Sequence, residues 1–250
     1  MKISFFNGVS GVMAFQEDMN RIAHNVANSG TVGYKPDRST FSDLLYTRMA
    51  VNSEKEPLTG HGVRINDAQM IYKQGPVLQT GCTLDFALLG DGFFAVRTPK
   101  GDIEYTRNGS FDISIEGDKG YLVTEDGSHV LGFAGRDIEL ERPSKDGMFN
   151  LEGLQMQIGI YDFANPYALE HATNSRFTPT DTSGEATAIL PGRSSFDGRN
   201  YRLMDNALEQ SAVELGDEMV NVITAQRAYQ MNAKMIQTAD ELEQVINNLR

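Results

Sequence analysis

Residues 23–35, AHNVANSGTVGYK, mark the point at which one kind of periodicity stops and another begins. Upstream, Phe5, Val9, Val12, Met19 and Val26 follow steps of three, four and seven, with Gln16 and Ala23 at the intervening positions. This 3.5-residue repeat predicts a helix carrying a coiled-coil seam. Asn25, Asn28, Gly30 and Gly33 then gather in a short space, and both residue types tolerate the left-handed backbone that ends helices. The stretch therefore predicts a helix terminus, a turn and a restart as an extended segment at Tyr34-Lys35.

The opposite end of the chain behaves like the first. From Leu208, the positions Ala212, Leu215, Met219, Val222, Tyr229, Ala233 and Ile236 repeat the same steps, with Gln226 filling the gap. A second stripe runs through Ala228, Met231, Met235, Leu242, Val245 and Leu249, so this helix is expected to make apolar contacts on a broad face or on two. Both helices need partners, which can be each other or neighbouring subunits.

Between them the period changes to two. Phe93–Arg97, Ile103–Thr106, Phe111–Ile115, Tyr121–Thr124 and Gln155–Tyr161 read as short strands. They are punctuated by Pro99-Lys100-Gly101-Asp102, Asn108-Gly109 and Asp126-Gly127, each read as a turn. Residues 50–62 and the polar stretch Thr178–Asn200 read as linkers.

Composition narrows the function classes. The 250 residues carry a formal charge of −12, and no basic patch stands out that would grip a phosphate backbone, so nucleic acid is not an expected partner. The single cysteine, Cys82, rules out a disulfide framework, a cysteine zinc site and a CxxC motif, and is expected to be buried and inert. Ser4, Asn7, Gly8, Ser10 and Gly11 interrupt what would be a signal-peptide core, and no apolar run reaches the length of a membrane span. Any exit from the cytoplasm is expected to use a route without a cleaved signal.

Catalytic signals are weak. His24, His61, His129 and His171 lack metal-ligand spacing, so no metal and no cofactor are expected. Gly8-Val9-Ser10-Gly11 has its second glycine one position early for a nucleophile elbow, and Gly90-Asp91-Gly92 reads as a tight turn rather than a dinucleotide loop. Asn108-Gly109-Ser110 matches a glycosylation acceptor but is read as a hairpin turn. A hydrolase using Asp85 and Asp91, and a closed binding module whose terminal helices pair within one monomer, stand as the rival readings.

Three separated motifs carry a family resemblance. Asn25-Val26-Ala27-Asn28 with Thr31 and Gly33-Tyr34-Lys35 resembles the N-terminal signature of the bacterial flagellar axial proteins, the rod and hook subunits. LDFALLGDGFFAV (84–96) and YTRNGSFDIS (105–114) resemble their β-domain motifs, and EMVNVITAQRAYQMNAKMIQTAD (218–240) is similar to their C-terminal helix. The resemblance implies an α+β fold, with long N- and C-terminal helices forming a coiled-coil layer and a central antiparallel all-β domain. The corresponding divisions are 1–45 for the first helix and its turn, 46–69 linker, 70–190 β domain, 191–204 linker and 205–250 for the last helix.

It further implies a non-enzymatic basal-body rod subunit that self-assembles into a helical tube transmitting motor torque. A rod subunit is favoured over a hook subunit, because 250 residues leave little room for the extra outer domains of hook subunits; the distal rod is preferred because the central motifs look like that type, with the proximal rod or a short hook subunit as alternatives. The implied partners are further copies of itself, other rod and hook proteins and the flagellar type III export apparatus, and the implied location is the basal body after export. The expected assembly interface comprises the seam residues Phe5, Val9, Val12, Met19 and Val26. It continues through the turn residues Asn25, Asn28, Gly30, Thr31, Gly33, Tyr34 and Lys35. It ends on Leu215, Met219, Val222, Gln226, Arg227, Tyr229 and Ile236 of the last helix.

Overall fold

The computed structural model of the chain describes residues 2–48, 58–117, 119–141, 149, 151, 153–189 and 201–249. Most of both predicted linkers, including Pro57 and residues 190–200, lies outside the described residues. Two compact units emerge: residues 1–27, 36–71 and 214–250 form one, and residues 28–35 and 72–213 form the other.

The first unit is built on two long helices, α1 (Lys2–Ala27) and α3 (Leu215–Asn248), with a single-turn helix α2 (Leu154–Gln157) belonging to the other unit. α1 and α3 run antiparallel: Asn25 meets Glu218 at one end, and Gly8 lies against Ile236 near the other. Their shared seam again has a 3.5-residue period, but it sits one position away from the apolar stripe of α1. Gly8, Gly11 and Asn25 lie against α3 and Ile22 is buried, while Val9, Val12, Met19 and Val26 are half-buried and Phe5 is exposed. The shift has a steric cause. A Cβ at Gly8 would stand 2.8 Å from Ile236 Cγ1 and one at Gly11 2.7 Å from Asn232 Oδ1, so only the glycine face lets the backbones approach this closely.

A strand pair, Asp37–Asp43 with Val63–Met70, lies against α1, with the Phe15 and Phe41 rings 5.3 Å apart. Residues 63–70 are thus a strand where the sequence suggested a linker. Its alternation is hard to read because only Met70 in it is fully buried. Thr47–Arg48 pairs with Leu58–Thr59, and Asn7 Nδ2 donates to Gly60 O at 3.1 Å.

The second unit is antiparallel throughout. Its main sheet places Phe93–Arg97 between Ile103–Thr106 and His129–Val130, extends through Lys119–Thr124 to Glu139–Glu141, and reaches Arg176–Thr178 and Glu170–His171 on the other side. The predicted strands at 93–97, 103–106, 111–115 and 121–124 all form, the last two as the slightly longer Phe111–Glu116 and Lys119–Thr124. Phe94 and Val96 point into a core with Phe86, Leu122, Ile158 and Ile160, whereas Phe93 joins Phe163 and Phe177 on the opposite face. With both faces covered, the strand reads as an unbroken apolar run.

Four local expectations fail. Gln155–Tyr161 is not one strand: Gly153, in the left-handed region, turns the chain into α2, where only Leu154 is buried, and pairing resumes at Ile160–Asp162. Asn108-Gly109 closes no hairpin, because its flanking strands pair elsewhere; Gly109 instead gives its carbonyl to Phe86 N at 3.0 Å. The last helix begins at Leu215, not near 205, because Ala207–Glu209 forms a strand with Val77–Gln79. Cys82, expected to be buried, is exposed.

Candidate functional site

Residues 23–35 divide between the two units. In the first, Asn25 is buried and donates its amide to Glu218 Oε1 at 3.0 Å and to Asp37 O at 2.9 Å, while its Oδ1 accepts from Asp37 N at 3.1 Å. One side chain thus ties the end of α1 to the start of α3 and to the first strand. A helix-end asparagine at this position makes both the donor and the acceptor bonds required of a buried amide.

In the second unit, Asn28 and Thr31 close a turn through Thr31 N to Asn28 O, 3.1 Å, and Thr31 Oγ1 to Asn28 Oδ1, 3.1 Å. Gly33 follows with φ of 68° and donates to Glu209 O at 2.8 Å. Tyr34 is buried, and its carbonyl accepts from Ala212 N at 3.0 Å. Lys35 is almost wholly buried and drives its ammonium onto Glu209 Oε1 at 2.7 Å and onto the Lys73 carbonyl.

Glu209 is fully buried and saturated. Its Oε1 also accepts from Gly75 N at 2.8 Å, and its Oε2 from Arg107 Nη1 at 3.2 Å. The Arg107 guanidinium donates to Gly90 O at 2.8 Å and to the Tyr72 hydroxyl. That hydroxyl accepts from Gly92 N at 2.9 Å. Lys35 and Arg107 lie 5.5 and 5.1 Å from the centre of the Tyr72 ring. Burial pushes the Lys35 ammonium below its ordinary pKa, partly offset by Glu209, and burial pushes the Tyr72 phenol up. The carboxylate is hydrogen-bonded on both oxygens, the condition under which charges can be kept out of water.

The expected interface residues therefore fall into three sets. Asn25, Gly33, Tyr34 and Lys35 are buried inside the chain, and their bonds are made there. Val9, Val12, Met19, Val26, Asn28, Thr31, Val222, Tyr229 and Ile236 are half-buried. Phe5, Gly30, Leu215, Met219, Gln226 and Arg227 are exposed. Sequence reasoning missed Tyr72, Arg107, Glu209 and Glu218. Arg107 stood inside a quoted motif without a role, and Glu209 was absorbed into the helix; the one available signal was a lone carboxylate inside a short strand.

The helical unit has a second property. Its inner seam is made largely of small and polar side chains, whereas Phe6, Met13, Met219, Val220, Met231 and Met235 are all more than half exposed. Among the described residues, no helix is long and apolar enough to cross a membrane and no cluster of metal-ligating side chains occurs.

Long helices at the two ends of the sequence and an antiparallel β unit between them match the fold that the resemblance to the flagellar axial proteins implies. Residues 87–160 match the family described as flagellar hook protein FlgE/F/G D1 domain, and residues 204–249 match flagellar basal body rod FlgEFG protein C-terminal. The chain is 34 % identical to the flagellar basal-body rod protein FlgG of Borreliella burgdorferi, covering 100 % of this chain and 99 % of the relative. It is also 34 % identical to FlgG of Bacillus subtilis over 99 % of this chain and 98 % of that protein. The flagellar hook-basal body complex protein FlhP of Bacillus subtilis is 25 % identical over 94 % of each. The chain belongs to the flagellar basal-body rod family.

Proposed function

We propose that the protein is a structural, non-catalytic subunit of the flagellar basal-body rod, of the distal type. Full-length similarity to proteins named FlgG supports the distal assignment over the proximal rod and the hook. In this reading the subunits leave the cytoplasm through the flagellar type III export apparatus. They then stack, with other rod and hook proteins as axial neighbours, into a helical tube that transmits motor torque. The helices form its coiled-coil layer.

The observation that carries the assembly reading is the inversion of side-chain size across the helical pair. Glycines, alanines and asparagines fill the intrachain seam, while methionines, phenylalanines and branched residues point outward. An isolated stable pair would do the reverse, because burial of large apolar side chains stabilises by about 1.5 to 3 kcal/mol each. An extended apolar surface of this kind marks a protein contact. The expected interface then centres on Phe5, Leu215 and Met219, with the half-buried Val9, Val12, Met19, Val222, Tyr229 and Ile236 at its margins. Gln226 and Arg227 supply polar contacts.

Replacement of Met219, which is 62 % exposed, by Asp tests this. The purified variant is expected to keep the wild-type melting behaviour, while isolated basal bodies lack it and the cells are non-motile. Normal basal bodies and swimming in cells carrying only the variant would overturn the assembly reading.

A further inference from the structure

The chain passes between its two units four times, after Ala27, Lys35, Ile71 and Val213. Every segment of the second unit that adjoins one of these passages reaches Glu209 or its immediate partners. Residues 28–35, which lie between the first two passages, contribute Gly33 N to Glu209 O and Lys35 Nζ to its carboxylate. Residues 72–76, after the third, contribute the Tyr72 hydroxyl, the Lys73 carbonyl and Gly75 N. Residues 207–213, before the fourth, contain Glu209 itself, Gln210 N bonded to Pro76 O at 2.8 Å, and Ala212 N bonded to Tyr34 O. Arg107 then fixes the whole set to the sheet, through Glu209 and through the carbonyls of Leu88 and Gly90.

We propose that the Lys35–Glu209–Arg107–Tyr72 cluster is a single cooperative staple that locks the segments adjoining all four passages into the second unit, so that none can be released without the others. The physical basis is the cost of partial opening. Pulling out residues 28–35 strips Glu209 of one of its two cations in a site that excludes water; pulling out 207–213 strips Lys35 and Arg107 of their shared anion. A buried charge robbed of its partner is far less stable than the intact set, so intermediate states are disfavoured and opening becomes all-or-none. Gly33 adds a geometric condition, because its positive φ and close approach to the Arg107 backbone fit only the closed arrangement. For the use of the staple the inference rests on the rod reading: in a torque-bearing subunit, force entering through any one segment is shared by all of them.

The test is residue-resolved amide exchange on the full-length chain, which depends on the staple and not on the rod assignment. In a urea series, the amides of Gly33, Gly75, Gln210 and Ala212 are expected to converge on one opening reaction with one denaturant slope. Distinct slopes, with each segment opening separately, would overturn the proposal. In Lys35→Met the same four amides are expected to exchange together on the order of ten- to a hundredfold faster, with the sheet amide of Leu122 unchanged. Acceleration confined to Gly33 would overturn it. Should Lys35→Met lose protection at Leu122 as well, the wild-type urea series decides alone. Absence of the protein from basal bodies would refute the rod reading and leave this exchange result standing.

Discussion

Gly30 and Gly33 stand three residues apart in the same turn, and they are expected to respond oppositely to the same small change. At Gly33, φ is 68°, and an added Cβ would stand 2.7 Å from both Arg107 C and Asn108 N. An L-residue in the left-handed region costs about 1 to 2 kcal/mol. Forcing one carbon against backbone that cannot rotate away costs about 1 to 3 kcal/mol more. Gly33→Ala should therefore destabilise the second unit by about 2 to 5 kcal/mol, which for a unit of this size lowers its melting temperature by about 4 to 20 °C. At Gly30 nothing lies within 4 Å of the Cβ position and the φ is not positive, so Gly30→Ala should stay within about 0.5 kcal/mol of wild type. The chain has no tryptophan and seven of its nine tyrosines lie in the second unit, so near-ultraviolet circular dichroism followed through thermal and urea unfolding reports mainly that unit. If the two variants melt within about 1 kcal/mol of each other, the packing of residues 28–35 described above is wrong.

Other expectations follow from the same geometry. Gly8→Leu drives a side chain into Ile236, so amide protection should fall along α1 and α3 while the aromatic signal of the second unit melts as before. Burial raises the pKa of the Tyr72 phenol above its ordinary 10.0, so the folded state holds a proton that the unfolded chain releases. Its contribution is fully present below pH 10.0 and is lost as pH rises through the raised value, so the stability deficit of Tyr72→Phe relative to wild type should shrink above pH 10. Lys35, lowered by burial, contributes with the opposite sign between its lowered pKa and 10.5, but it is present in both proteins and largely cancels in the comparison. Cys82 is exposed, and a maleimide should label it stoichiometrically in the native protein without denaturant; a thiol that reacts only in urea contradicts its placement.

Much of the architecture was legible without coordinates because it is written in near neighbours. Steps of three and four along residues 5–26 and 215–236 are set by one helical turn, and the alternation in 111–115 by the two faces of a strand. Each is a property of a few consecutive residues and emerged at the expected place. The turn at 23–35 was likewise legible, since Gly33 is the residue type that its left-handed backbone demands and Asn28 accepts the bonds from Thr31 that close it. Where local signals were shared between states, the reading failed. Leu208 and Ala212 extend the helical spacing of α3 backwards, yet strand pairing with Val77–Gln79 claims Ala207–Glu209.

What tertiary structure alone decided is the use made of those pieces. Periodicity located an apolar stripe on α1, but the close approach at Gly8 and Gly11 turned the glycine face inward and left the larger side chains partly outside. Lys35 read as a surface contact because lysine is rarely buried. Its partner lies 174 positions away, and the arginine completing the set is a further 102 from that carboxylate. No spacing rule links residues at such separations. They meet because the sheet topology returns the C-terminal strand beside the N-terminal turn, and the exclusion of water there makes their charges seek each other. The sequence by itself determined the two long helices, four strands of the central sheet and the turn, through forces that act within a few residues; the fold determined which of their side chains were closed inside and which were left for another chain.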